Sequence, residues 1–341
     1  MIEIVTSVKE DEWERFLSDC EYATIYHTPY WKKILEETFN YKPYYLFSQD
    51  ETGKVIGLLP LFYINSKLTG KKLCSLPLSH QCGYIGSEVA FQDIINRSIE
   101  LGNELCVDHF EIRSPVDYSD FHVKNDYSTY VLELTQPQDT WKRLDKGSVR
   151  WAIRKSQKNG VNVTTTEARD DVKKFYELNC ITKKELGVPC HSLKLFKDLL
   201  SFSRSHARLY IAKYGTEIIG GGIMLYFKND VIYGYGAADP GSLKLYPYNA
   251  FIWKSIEDSC SAGYKSYDFG RASYANGGLI DFKKRWGTVE RRLFYSYYKH
   301  GKDSLANDRN SIKYKAATGL IKNIPLPVYK KFSDVVFEHF G

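Results

Sequence analysis

Only two of the 341 residues are methionine, and the seven cysteines, at 20, 74, 82, 106, 180, 190 and 260, are an odd number with no CxxC pair. That scatter carries no motif that would suggest a thiolate zinc site or a dithiol redox site and reads as reduced, mostly buried thiols. The eight histidines form no HExxH or similar ligand pair, and the chain has neither a GxSxG elbow nor a GxxxxGK[ST] loop. Zincin, serine hydrolase and P-loop chemistry therefore lack their central groups, and no metal is expected. Long hydrophobic runs are missing too: VIGLLPLFYI (55–64) and IIGGGIMLYF (218–227) fall well short of the roughly 20 residues a membrane helix needs. The start, MIEIVTSVKEDEWERF, lacks the basic and apolar regions of a secretory signal. The expectation is a cytoplasmic protein without a transmembrane segment, for which peripheral membrane contact stays open.

What is present is a sheet-rich composition, with 27 Tyr and 43% hydrophobic residues. The net charge is +6, but it is local: residues 142–158 hold seven cations against one acid, and residues 283–292 five against one. Such clustering suits a defined anionic ligand better than a uniformly basic surface.

Two similar halves follow one another. Thr28-Pro29 reads as a helix start, with Trp31, Ile34 and Leu35 at helical spacing. Two apolar runs flank Asp50-Glu51-Thr52-Gly53, a hairpin signal, and a third strand, a helix near 91–105 and a strand at 108–115 come after. The second half repeats strand pair, third strand, Pro-started helix (246–263) and strand (YKSYDFGRA). GKVIG (53–57) against TEIIG (216–220), and VDHFEI (107–112) against KSYDF (265–269), recur at similar offsets, as a duplication would. The expected fold is α/β with mixed sheets. The expected domains are 1–136, 137–300 as the catalytic half, and a helical tail, 301–341, packing back on them. LTQPQDTW (134–141) is the expected linker, and Gly187-Val188-Pro189 breaks residues 170–205 into two helices. The GGG at 220–222 sits inside a strand pattern, which indicates a bulge or a close backbone approach.

On a helix through 147–159, Arg150, Arg154 and Lys158 share one face; this is either a solvated face or one relieved by an anion, and Arg271 with the 283–285 cluster favours the anion. Asp268 either serves as a general base or pairs with Arg271 to fix its loop. Lys283, flanked by Phe282 and Trp286, is either a transition-state cation or a surface lysine beside core aromatics.

The order of HTPYWKKIL, GLLPLFYINSKLTGKKLCSLPL, RWAIRKSQKNGVNV, YPYNAFIWKSIEDSCSAGYKSYDFGRAS and GLIDFKKRWGT resembles Fem-type peptidyltransferases and their acetyltransferase-like (GNAT) relatives, including Fem-related exopolysaccharide proteins. The resemblance implies two tandem GNAT-like halves. It also implies an acyl or aminoacyl transferase that forms an amide or ester on a nucleotide- or lipid-linked cell-wall or polysaccharide precursor. Lys32 or Lys33 and Arg150 or Arg154 would hold the diphosphate of a phosphate-bearing or sugar-linked acceptor. Arg271, Tyr235 and Asn249 complete the candidate substrate-binding set, with Lys283 and Asp268 as the catalytic pair. No tightly bound cofactor is implied; the donor would be aminoacyl-tRNA or acyl-CoA. In place of the [RQ]xxGx[GA] loop of CoA-binding members stands GAADPGSLKLYPYNA, and the long helical arm of some tRNA-using members is absent. Two other readings stay open: a CoA-dependent acyltransferase acting on an exopolysaccharide or lipid-linked sugar, and a non-catalytic nucleic-acid-binding protein using the two basic segments.

Overall fold

The computed structural model describes residues 2–67, 70–118, 121–299 and 312–340. Along the chain, β1 (Glu3–Val5), α1 (Glu10–Asp19), α2 (Pro29–Phe39), β2 (Lys42–Gln49), β3 (Val55–Ser66), β4 (Gly70–Cys74), β5 (Ile85–Gly86), α3 (Glu88–Glu104), β6 (His109–Ser114) and β7 (His122–Glu133) come first. Next are α4 (Pro137–Arg143), a π-helical turn (Lys146–Arg150), α5 (Trp151–Lys158), β8 (Val161–Thr166), α6 (Arg169–Glu185), α7 (Leu193–Phe202), β9 (Ala207–Tyr214) and β10 (Glu217–Phe227). The last are β11 (Asp230–Ala238), α8 (Pro247–Ser261), β12 (Ser266–Ser273), α9 (Gly277–Lys284), β13 (Val289–Lys299), α10 (Ile312–Asn323) and α11 (Leu326–Phe340). Pro137 opens α4 because its missing N–H costs nothing in a first helical turn, so the segment expected to be a linker is partly helical.

The chain forms two units, one built on Met1–Tyr127 and the strand end from Arg292, the other on Ser128–Arg291 and Ile312–Phe337. The break lies at Tyr127/Ser128, inside β7, where the sequence pattern places it after residue 136. Residues 301–311 of the expected tail lie outside the described residues. Each unit has the same plan. In the first, β2, β3 and β4 are antiparallel neighbours, α3 follows, and β6 runs parallel to β4. In the second, β9, β10 and β11 are antiparallel, α8 follows, and β12 runs parallel to β11. This is the tandem α/β arrangement expected from the repeated motifs.

Local signals account for the element ends. The Thr28 hydroxyl accepts from the Trp31 N–H at 3.2 Å with Pro29 at the first helical position, and Trp31, Ile34 and Leu35 are fully buried. At the β2–β3 turn, Gly53 has φ +80°, and the Asp50 carboxylate accepts from the amides of Thr52 and Lys54. The three glycines of β10 combine both expected features. The register shifts between Ile218 and Gly220, and added Cβ atoms would lie 2.9 Å from Pro247, 2.6 Å from the Tyr210 carbonyl oxygen and 2.7 Å from the Phe251 ring. Helix α8 can therefore rest directly on the strand backbone.

The first unit buries two sets of ionisable groups. In one, the Thr24 N–H donates to His27 Nδ1 at 3.1 Å, so the proton sits on Nε2, which donates to the Gly83 carbonyl at 3.1 Å. Burial pulls this imidazole down to about 4. The unfolded chain then takes up a proton at a pH where the folded chain does not, and stability falls as pH drops from about 6.5 towards 4. The expected loss from His27 is about 3 kcal/mol; urea unfolding across that range should show it, with a shallower slope in His27→Gln. His191, half-buried in the second unit and lowered by desolvation and by Lys183, adds in the same direction. The other set centres on Glu111, buried on β6 between His109 Nε2 at 3.2 Å and Arg113 Nε. Arg113 also donates to the Ser79 carbonyl at 3.0 Å.

Candidate functional site

The second unit gathers its chemistry where β12 leaves the sheet and α9 begins. Gly270 turns the chain at φ +70°, a conformation that favours glycine. The Asn276 side chain caps α9 by accepting from the Leu279 N–H at 3.2 Å, and Thr288 ties down its other end through the Lys283 carbonyl at 3.0 Å. The rings of Phe269 and Phe282 stand 5.6 and 6.2 Å from Trp286, which is fully buried. They form an apolar wall beside Lys283.

Lys283 is only 4% exposed, which disposes of the surface-lysine reading. Its ammonium donates to the carbonyls of Gly270 at 2.6 Å and Arg271 at 2.9 Å and lies 5.7 Å from the centre of the Tyr130 ring. Burial draws its pKa down to about 8; the Asp268 charge opposes that shift and Arg271 adds to it. The lysine remains a cation at neutral pH, with two of its three donors engaged. Asp268, 6% exposed, accepts from the Thr129 hydroxyl and from the Gly270 N–H at 2.7 Å. It thus fixes the loop and supplies the negative charge facing Lys283. Asp268, Arg271 and Lys283 form one cluster.

The two basic segments meet at this cluster's edge. The Asp145 N–H donates to the Arg285 carbonyl at 2.9 Å, and the Asp145 carboxylate holds the following turn through Ser148 at 2.7 Å. That turn, 146–150, is π-helical, so the expected single helix through 147–159 is replaced by a wide turn followed by α5. Arg150 itself has right-handed helical dihedrals and leads straight into α5, where Arg154 and Lys158 follow at four-residue spacing; Arg150 is half-buried and the other two are exposed. Arg150 Nε is buried and has no hydrogen-bond partner among the described residues. Arg154 is exposed and lies over the Trp141 ring, which packs on Trp253.

The remaining candidates lie elsewhere. Tyr235 is buried on β11 against the rings of His191 and Phe196, and burial pushes its hydroxyl pKa up. Asn249 is half-buried in the first turn of α8. Lys32 and Lys33 stand on α2 of the first unit, where Lys32 pairs with Glu36 at 2.8 Å.

Sequence reasoning missed a second layer. Ser128 and Tyr274 both donate to Glu290 Oε1, at 2.8 and 3.0 Å, and Lys284 stands 3.4 Å from the other oxygen. These hydrogen bonds, that from Ser128 foremost, keep the Glu290 carboxyl below its usual range. Tyr130, whose ring faces Lys283, is pushed up to about 12, by burial first and by Glu290 next. The available signal was STYVLEL at 128–134, which places Ser, Thr and Tyr midway along β7, just before its apolar end.

Among the described residues, no group of three or more His, Cys, Asp or Glu side chains has metal-binding geometry, and no helix is long and apolar enough to cross a membrane. A family model described as an acetyltransferase (GNAT) domain matches residues 145–284. No curated protein matches the chain by sequence. Among solved structures, FemX is similar over 90% of this chain and 100% of its own, with 14% identity and a TM-score of 0.69. The C-terminal domain of a putative lysylphosphatidylglycerol synthetase from Agrobacterium fabrum is similar over 87% and 95%, with 10% identity and a TM-score of 0.57. A tandem GNAT protein from the clavulanic acid pathway is similar over 87% and 98%, with 10% identity and a TM-score of 0.54. At these identities the likeness is one of fold: two GNAT-like units in tandem, shared with Fem-like and GNAT acyltransferases.

Proposed function

We propose that the second unit transfers an acyl or aminoacyl group to an amine of a phosphate-bearing or sugar-linked precursor of cell wall or polysaccharide. The observation that carries this reading is the buried Lys283 ammonium, held by two carbonyls and facing Asp268, beside a loop that also carries Arg271. A buried cation of fixed position favours charge that develops on an oxygen over a neutral ground state. In the proposed step the acceptor amine attacks the carbonyl of an ester or thioester, and the oxyanion forms against Lys283. The bond to the leaving oxygen or sulfur then breaks. The amine proton leaves to a carboxylate or to the acceptor's own phosphate, and no protein nucleophile is needed. Asp268 already accepts two hydrogen bonds, which suits it to hold the loop and the lysine.

Arg150 and Arg154 are proposed to bind the acceptor's phosphates, Arg150 through its unpartnered guanidinium edge. The similar fold of the C-terminal domain of a putative lysylphosphatidylglycerol synthetase, whose name carries an amino acid on a phosphate-bearing lipid, supports this acceptor class. For the donor, the start of α8, which no side chain caps, favours a diphosphate such as that of acyl-CoA over aminoacyl-tRNA. Calorimetric titration with a UDP-linked precursor tests the reading. Arg150→Ala is expected to weaken binding about tenfold, the loss of a charge-assisted hydrogen bond. Equal affinity in the variant and the parent, or no binding of any phosphorylated acceptor by the parent, would overturn it.

A further inference from the structure

Cys180 on α6 and Cys190 in the loop before α7 are ten positions apart in sequence, and both are fully buried. The Cys180 thiol donates to the Cys190 sulfur at 3.2 Å. Two hydrogen bonds hold the loop. The Cys190 N–H donates to the Ser333 hydroxyl at 3.2 Å, and the Tyr329 hydroxyl donates to the Val188 carbonyl at 2.7 Å, both from α11. The sulfurs face one another because the chain reverses at Gly187, φ +70°, and the loop is pinned on its other side.

We propose that Cys180 and Cys190 are a modification site, a thiol pair that a peroxide converts reversibly into a disulfide joining α6 to the loop. The pair is asymmetric in the way such a reaction needs. The hydrogen bond that Cys190 accepts from Cys180 favours its thiolate against the opposing effect of burial, while the same bond and burial together push the Cys180 thiol up. Cys190 is therefore the thiolate that reacts first. Its sulfur attacks one oxygen of hydrogen peroxide, the O–O bond breaks, and hydroxide leaves, giving a sulfenic acid. The Cys180 sulfur attacks that sulfur, the S–O bond breaks, the S–S bond forms, and the thiol proton leaves with the hydroxyl as water. Two thiols and one peroxide give one disulfide and two waters. The same site bears on the sheet: His191, next to Cys190, packs on Tyr235 of β11 at 4.8 Å, and Thr182, two residues past Cys180, lies 3.4 Å from the Ala238 carbonyl.

The test is peptide mapping of the full chain after hydrogen peroxide, with free thiols alkylated under denaturing conditions. The expected product is one peptide pair linked through Cys180 and Cys190, lighter by two hydrogens, which dithiothreitol separates. The linked protein should also melt a few degrees higher, since the bond closes a short loop in the unfolded chain. Complete alkylation of both cysteines while exposed Cys106 is oxidised would overturn the proposal. The order of attack has its own readout. Cys180→Ser should leave a sulfenic acid on Cys190 that dimedone labels, whereas Cys190→Ser should leave Cys180 unlabelled; the reverse pattern would refute the assignment. The wild-type map decides the linkage even if a serine variant fails to fold.

Discussion

Lys283→Met is expected to lower turnover about 10²- to 10³-fold at saturating substrate, the usual cost of removing one oxyanion-stabilising donor. The fold should survive. Two carbonyls, Gly270 and Arg271, lose their donor, a penalty of about 1–3 kcal/mol. Melting curves beside single-turnover rates separate the two effects. The pH dependence sharpens the test. With its pKa drawn down to about 8 by burial, the lysine is charged below that pH and neutral above it. Activity should fall as pH rises through 8, well before an ordinary lysine would titrate. Lys283→Arg, if active, should lose this alkaline limb because a guanidinium stays charged. Undiminished turnover in Lys283→Met would remove the lysine from the mechanism.

The largest stability effect is expected in the first unit, at Glu111. Burial alone would disfavour its charge, yet Arg113 and His109 reverse the balance and hold the carboxyl well below the usual range. Glu111→Ala leaves the Arg113 guanidinium, only 12% exposed, without its counter-charge, at an expected cost of about 3–5 kcal/mol. The double variant Glu111→Ala/Arg113→Met should recover a large part of that loss, because no charge is then stranded. Urea unfolding of the two variants measures both quantities. The sign with pH is fixed: the folded carboxyl ionises more readily than the unfolded one. Its contribution is therefore present above about pH 4.5 and fades as the solution is acidified.

Much of the scaffold was legible because its signals are local. Thr28-Pro29 caps a helix, Asp50 to Gly53 turns a hairpin, and Gly187-Val188-Pro189 separates α6 from α7. Each involves neighbours in the chain and a backbone preference specific to the residue. The repeated strand-helix-strand order was also readable, since both copies kept their turns. The site was legible in part. Asp268, Arg271 and Lys283 lie within sixteen residues, on one strand, turn and helix, and the structure keeps them together. Thr129 lies 139 positions before Asp268 and Ser128 162 positions before Glu290, so only the register of the sheet brings them, with Tyr130, to the site. The wide turn before α5 escaped for another reason: a π-turn leaves no compositional trace in KGSVR and depends on Asp145 anchoring both Ser148 and the Arg285 carbonyl. Glu111 read as an ordinary strand residue because ion pairing across i and i+2 looks the same on a wet face as in a core.

The bare backbone at Gly220–Gly222 sets a datum for the second unit. With the side chains of Gly220 and Gly222 missing, the first turns of α8 touch β10 directly, and at these two positions the gap between helix and strand is not set by side-chain choice. The segment 239–246 leading into that helix is thereby freed from positioning it. Its sequence can drift while the geometry behind it stays constant.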